Sequence, residues 1–195
     1  VDRWVVSTTI AKLAECRDLI DGHAAIFAIN LSGQSLGDDE ILKFIEEEVE
    51  QSGLPASSLC FEITESAAVS NLDKAQAFIN RLRNLGFGIS LDDFGAGLSS
   101  FAYLKNFNVD MLKIDGGFIR DITENRISES MVAAITQVAK VMDLQTVAEF
   151  VGSEKTRELI TKLGVDYAQG HFIGRPVAIE AVLADHPELL ESTSS

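Results

Sequence analysis

The sequence is 195 residues long and carries 30 acidic against 16 basic side chains; the resulting charge of −14 argues against a protein that coats nucleic-acid polymers. With 46% hydrophobic and 24% charged residues and only 3 prolines, it is neither a disordered polymer nor a membrane protein, and one globular domain is the expectation. No apolar run approaches the roughly 20 residues of a membrane span, and the start Val1-Asp2-Arg3-Trp4 reads as part of something longer.

In chain order, short apolar runs alternate with stretches of helical periodicity, the pattern of repeated β-α units. Trp4, Val5, Thr8, Ile10 and Leu13 place the chain's beginning inside a helix. Ala24 to Leu31 is continuously apolar, as for a strand covered on both faces, and gives way to polar Asn30 and Ser32. Asp38 or Asp39 caps a helix carrying Ile41, Leu42, Phe44, Ile45 and Val49, which Gly53 and Pro55 stop. Leu59 to Thr64 is the second strand, and a helix from about Asn71 runs to Gly86. A third strand, Phe87 to Leu91, precedes a loop, Asp92-Asp93-Phe94-Gly95-Ala96-Gly97, and a short helix near Ser99 to Lys105. Met111 to Ile114 and Leu144 to Ala148 are the fourth and fifth strands, separated by a helix over Ser128 to Met142. A capped helix spans Ser153 to Leu163, a broken sixth strand spans Asp166 to Ile173, and a terminal helix is expected over Ala178 to Leu190. The domain is expected over 1–190, with 191–195 a frayed tail.

Six strand-helix units without a GxGxxG or GxxxxGK[ST] turn favour a (β/α) barrel over a doubly wound sheet. Such barrels usually take about 250 residues, so the first one or two units are expected to lie upstream of this chain. Cys16 and Cys60 stand alone, without metal-ligand spacing, and read as buried thiols of a reducing compartment. The cytoplasm is the expected location of the domain, whatever anchor its parent protein carries.

Each strand stays apolar until a polar group arrives near its C-terminal end: Asn30, Glu62, Asp92 with Asp93, Lys113, Glu149 and Gln169. A parallel barrel opens all these ends on one face, so they should meet at one mouth. Four crowded carboxylates cannot all stay ionised unless cations sit among them. Oxygen ligands favour Mg²⁺, Mn²⁺ or Ca²⁺ over zinc. Adjacent aspartates allow one carboxylate to bridge two metals, the arrangement used in phosphodiester hydrolysis. Taken singly, Asn30 or Glu62 reads more readily as a cap or loop anchor, and Lys113 as a rim residue; His23, His171 and His186 read as structural.

Asn30-Leu31-Ser32, Phe61-Glu62-Ile63-Thr64-Glu65, Asp92 to Gly97, Leu112-Lys113-Ile114-Asp115, Ala148-Glu149 and Gln169-Gly170, in that order, resemble the EAL family of cyclic di-GMP phosphodiesterases. The resemblance covers about Trp4 to Pro176. It implies a TIM-like barrel that opens cyclic di-GMP to linear pGpG with two Mg²⁺ or Mn²⁺ ions, Ca²⁺ being expected to inhibit. It implies metal ligation by Asn30, Glu62, Asp92, Asp93 and Glu149, with Asp92 bridging. It also implies that Lys113 orients the attacking water, that Gln169 lines the substrate site and that Glu65 ties down the loop after Asp92-Asp93. A homodimer and linked GGDEF or sensory domains upstream are further expectations of the family; a nucleic-acid polymer is not.

Two departures stand out. The Glu-Ala-Leu tripeptide that names the family has no counterpart here, and with it go a metal-ligating glutamate and a phosphate-gripping arginine. Where the family often reads Glu-Gly-Val-Glu, this chain reads Glu149-Phe150-Val151-Gly152. Losing one carboxylate from a two-metal site removes transition-state charge stabilisation, so the alternative reading is an inactive cyclic di-GMP receptor or a dimerising signal-transmission module.

Overall fold

The computed structural model describes residues 1–20, 25–96, 101–179 and 181. Helix α1 (Asp2–Glu15) buries Val6, Ile10 and Leu13 against the sheet, while Trp4, expected on that stripe, is 71% exposed. Helix α2 (Arg17–Ile20) and strand β1 (Phe27–Leu31) follow. Helix α3 (Asp39–Ser52) starts where the Asp38 carboxylate accepts from the Glu40 amide, and ends at Gly53, whose φ of +66° closes the last turn. Strand β2 (Leu59–Thr64) runs directly into helix α4 (Glu65–Ser70), and Asn71 then caps helix α5 (Leu72–Asn84). Strand β3 (Gly88–Phe94), helix α6 (Phe101–Leu104), strand β4 (Met111–Ile114) and helix α7 (Gly116–Arg120) follow. Helix α8 (Arg126–Val141), strand β5 (Gln145–Ala148), helix α9 (Glu154–Leu163) and strand β6 (Tyr167–Ala168) complete the described elements.

All six strands are parallel, and their order in space is their order in the chain, β1 to β6. A doubly wound sheet reverses its order at a switch point; this one never does, which is the wall of a TIM-like (β/α) barrel. Side chains two apart share a face. One parity, including Ile29, Phe61, Ile63, Ile89, Leu91, Leu112 and Ile114, is almost fully buried beneath the helices. The other parity turns inward and lines a cavity of about 310 Å³ from Ala28, Cys60, Glu62, Ser90, Lys113 and Gln169, among others. The helix-facing set is thus the main core, and the inward set supplies the polar groups.

Several local expectations change. The first strand begins at Phe27 rather than Ala24, which lies outside the described residues, and Ala28 and Asn30 are exposed because the helices cover only one face of β1. The third strand continues through Asp92 and Asp93, with a register shift between Leu91 and Phe94, so the two aspartates stand on the strand and not in a loop. The sixth strand is only two residues long: beyond it, Ile173 and Gly174 amides turn back to the Gly170 carbonyl. Cys60 is buried, but Cys16, at the C-terminal cap of α1 and off its buried stripe, is only half-buried. His171 is exposed. His23, Gly97, Ser99, His186, most of the expected terminal helix and the 191–195 tail lie outside the described residues. No helix among the described residues is long and apolar enough to cross a membrane.

Candidate active site and metal centre

Lys113 is the hub. It stands on β4 between Leu112 and Ile114, both fully buried on the helix side, so strand parity drives its stem inward. Its Nζ lies 3.0 Å from Glu62 Oε2, 2.9 Å from Asp92 Oδ1 and 3.0 Å from Glu149 Oε1. An ammonium has three donors, and here each faces a carboxylate. Lys113, Glu62 and Glu149 are buried as whole residues. Charges in such a place persist only when paired. Burial works against the Lys113 charge, yet the hydrogen bond it donates to Asp92 and the charge of Glu62 hold its pKa above the ordinary lysine value.

A second convergence overlaps the first. Asp92, Asp93 and Glu149 each present a carboxylate oxygen within 4.8 Å of the others, an arrangement that can hold a metal ion. Asp93 has a left-handed backbone, φ +53°, and its amide donates to Asp92 Oδ1 at 3.1 Å. The turn at this residue brings two adjacent side chains, which a regular strand would send to opposite faces, into one cluster. Burial and the negative charges of Asp92 and Asp115 raise the Asp93 pKa against the opposing pull of Lys113. Burial likewise raises that of Glu149; Lys113 opposes it, and Asp92 and Asp93 reinforce it. Oxygen donors whose ionisation is disfavoured by their own crowding suit a hard divalent cation, which would relieve that crowding.

The remaining expected residues surround this centre. Asn30 pairs in register with Glu62 across the β1–β2 ladder. Glu62 meets the carboxylate cluster through Lys113. Gln169 lines the inner cavity with Glu62 and Lys113, and also a neighbouring cavity of about 360 Å³ with Glu149 and Phe150. Its amide donates to the Ala148 carbonyl at 2.8 Å, which fixes the turn after β6 beside the end of β5. Glu65 is buried, and its Oε2 accepts from the Gly95 amide at 2.9 Å, joining the start of α4 to the segment after Asp92-Asp93.

Two features were missed from the sequence. Ser90 is 1% exposed, lines the inner cavity, and its Oγ has no hydrogen-bond partner among the described residues. Its position two residues before Asp92 places it on the inward face, a signal that parity alone carries. Arg120 stacks on Phe150, a contact between α7 and the end of β5 that no local pattern announces.

Comparison with known proteins identifies relatives of this chain in sequence and in fold. The chain is 39% identical over 192 residues to the cyclic di-GMP phosphodiesterase PdeF of Escherichia coli strain K12, a match covering 98% of this chain and 25% of PdeF. The chain therefore spans about a quarter of that relative's length. Among solved structures, it resembles the PaMucR phosphodiesterase in its c-di-GMP complex with a TM-score of 0.86 and 33% identity, over 92% of this chain and 72% of that one. It resembles the EAL domain of Mycobacterium smegmatis DcpA with a TM-score of 0.85 and 31% identity, over 97% and 83% of the two chains. The EAL domain model matches residues 1–176. A barrel wall of six sequential parallel strands, with its carboxylates at the strand ends and a family match over nearly its whole length, belongs to the EAL domain family.

Proposed function

We propose that this chain is the hydrolytic domain of a cyclic di-GMP phosphodiesterase, which opens the cyclic dinucleotide to linear pGpG. The observation that carries this reading is the meeting of Asp92, Asp93 and Glu149 within 4.8 Å of one another, against Lys113. The names of PdeF and of the PaMucR complex support the same substrate.

Asn30, Glu62, Asp92, Asp93 and Glu149 would hold two divalent cations, Mg²⁺ or Mn²⁺. Such a pair, when bound, lowers the pKa of a water and stabilises both the attacking and the leaving oxygen of an in-line displacement. The chain's own groups supply the rest. Lys113 aims all three ammonium donors at Glu62, Asp92 and Glu149; one of them, released as cations take up those carboxylates, would donate to the water, orient it and offset developing negative charge, without accepting its proton. Gln169 offers an amide to the substrate at the mouth. Glu65, through the Gly95 amide, fixes the segment that follows the aspartates. A doubly charged dinucleotide meets a locally neutralised mouth, so the overall charge of −14 does not bar it.

The second reading, a receptor that binds cyclic di-GMP without cutting it, is favoured by Gly152, an uncharged residue that lines the cavity beside Glu149. Cyclic di-GMP incubated with the protein and Mn²⁺, with and without a chelator, and resolved by chromatography separates the two. Chelator-sensitive pGpG is the expected result. Calorimetric binding with no product would establish the receptor, and neither binding nor product would contradict both.

A further inference from the structure

Phe150 follows Glu149 directly, and its backbone stands at φ +52°, a region that bulky residues rarely enter. Strain of this kind persists only where the surroundings hold it in place. Burial does not explain it, since the residue is 54% exposed. Its contacts do. The guanidinium of Arg120 lies 4.0 Å from the ring centroid, in cation–π contact. The ring also presses on Gly116 so closely that any side chain there would overlap Phe150 Cδ2.

Gly116 and Arg120 open and close α7, which begins two positions after the end of β4 and three after Lys113. Phe150 follows Glu149 on the next strand's end. The ring therefore joins the two segments that carry the two ends of the 3.0 Å Lys113–Glu149 ion pair. The backbone around it is tied on both sides: the Glu149 amide donates to the Ile114 carbonyl at 3.4 Å, and the Val151 amide to the Gln169 carbonyl at 3.0 Å.

We infer that Phe150, seated between Gly116 and Arg120, is a positioning residue that sets Glu149 against Lys113 and thereby completes the metal-binding cluster. The inference rests on the metal-site reading given above. Because the ring acts through Glu149, its removal should loosen cation binding without unfolding the chain. Glycine at position 150 keeps the left-handed backbone at no steric cost, so Phe150→Gly removes the clamp alone.

The test is Mn²⁺ titration, with thermal unfolding of the metal-free protein, for wild type, Phe150→Gly, Gly116→Ala, Arg120→Met and Phe150→Tyr. Phe150→Gly and Gly116→Ala should weaken Mn²⁺ binding about tenfold, the scale typical of groups that orient metal ligands. Arg120→Met should weaken it less, Phe150→Tyr should bind as wild type, and Phe150→Gly should keep the wild-type melting temperature. Wild-type Mn²⁺ affinity in both Phe150→Gly and Gly116→Ala, or a lowered melting temperature with unchanged affinity, would overturn the inference. Failure of the wild-type chain to bind Mn²⁺ would instead overturn the proposed function. The clamp is then judged by unfolding Phe150→Gly, Glu149→Gln and the double variant: non-additive effects support it, and additive effects overturn it.

Discussion

Asp92 belongs to two arrangements at once: its Oδ1 lies 2.9 Å from Lys113 Nζ, and its carboxylate forms part of the cluster with Asp93 and Glu149. The internal cation thus draws on the same acidic groups that the proposed metal would use. In the metal-free protein, Lys113 offsets the repulsion that would otherwise force these carboxylates to protonate or move apart.

Lys113→Met tests this directly. Removing one partner from a buried ionic cluster costs about 3–5 kcal/mol, so the metal-free variant should melt well below wild type. Mn²⁺ should then restore more stability to the variant than it adds to wild type, because a cation replaces the missing ammonium. Thermal unfolding with and without Mn²⁺ measures both. Equal gains in the two proteins would show that Lys113 does not neutralise the cluster.

Glu65 tests the link between strand end and loop. Glu65→Ala removes the acceptor of the Gly95 amide, and an unsatisfied group in a partly buried place costs about 1–3 kcal/mol. Hydrogen exchange at Gly95 should accelerate by about fivefold to a hundredfold, since a factor of ten corresponds to about 1.4 kcal/mol. Exchange at wild-type rate would remove Glu65 from the role of loop anchor.

Asp2 gives a pH dependence outside the Asp92, Asp93 and Glu149 cluster. Its Oδ2 accepts from the Ser32 amide at 2.9 Å, Ser32 Oγ at 2.7 Å and Ser35 Oγ at 2.6 Å, pinning α1 to the end of β1. Burial opposes its charge, but the Ser35 and Ser32 hydrogen bonds bring its pKa below the ordinary aspartate value. The folded pKa is therefore lower than the unfolded one. The stabilisation is fully present above the unfolded value and is lost as pH falls through the folded one. Asp2→Asn should cost about 1 kcal/mol at neutral pH, the difference between a charged and a neutral acceptor, and the gap should shrink in acid. Urea unfolding of both proteins at neutral and acid pH checks it; a pH-independent gap would contradict the assignment.

The two thiols should differ in reactivity. Burial, reinforced by the charges of Glu62 and Asp110, pushes the Cys60 thiol up to about 12, whereas Cys16 is half-buried. Only the thiolate is nucleophilic. At mildly alkaline pH, iodoacetamide should modify Cys16 in the native protein, and both thiols in urea. Mass spectrometry that finds Cys60 alkylated in the folded chain would contradict the burial seen here.

Strand positions were legible because their apolar runs are short and bounded by polar turn residues, as in Met111 to Ile114, which matches β4 residue for residue. Lys113 and Glu62 stood out because each interrupts such a run on the inward parity. The extension of β3 through Asp92 and Asp93 was not legible, since two aspartates before a glycine carry the composition of a loop and only the Asp93 backbone turn reconciles them with the strand. Helices α4 and α7 escaped because six and five residues give too few turns for a periodic signal. That Asp92, Asp93 and Glu149 cluster while Asn30 pairs with Glu62 across the β1–β2 ladder depends on register, which one sequence does not encode locally.

The central claim is that Asp92, Asp93 and Glu149 form a cation site, and Mn²⁺ titration of wild type beside Asp92→Asn and Asp93→Asn tests it most directly. Saturable binding by wild type, weakened at least about tenfold in each variant as expected for loss of a ligand or of its orientation, is the predicted result. Mn²⁺ binding of equal strength in all three proteins, or none in wild type, would contradict it.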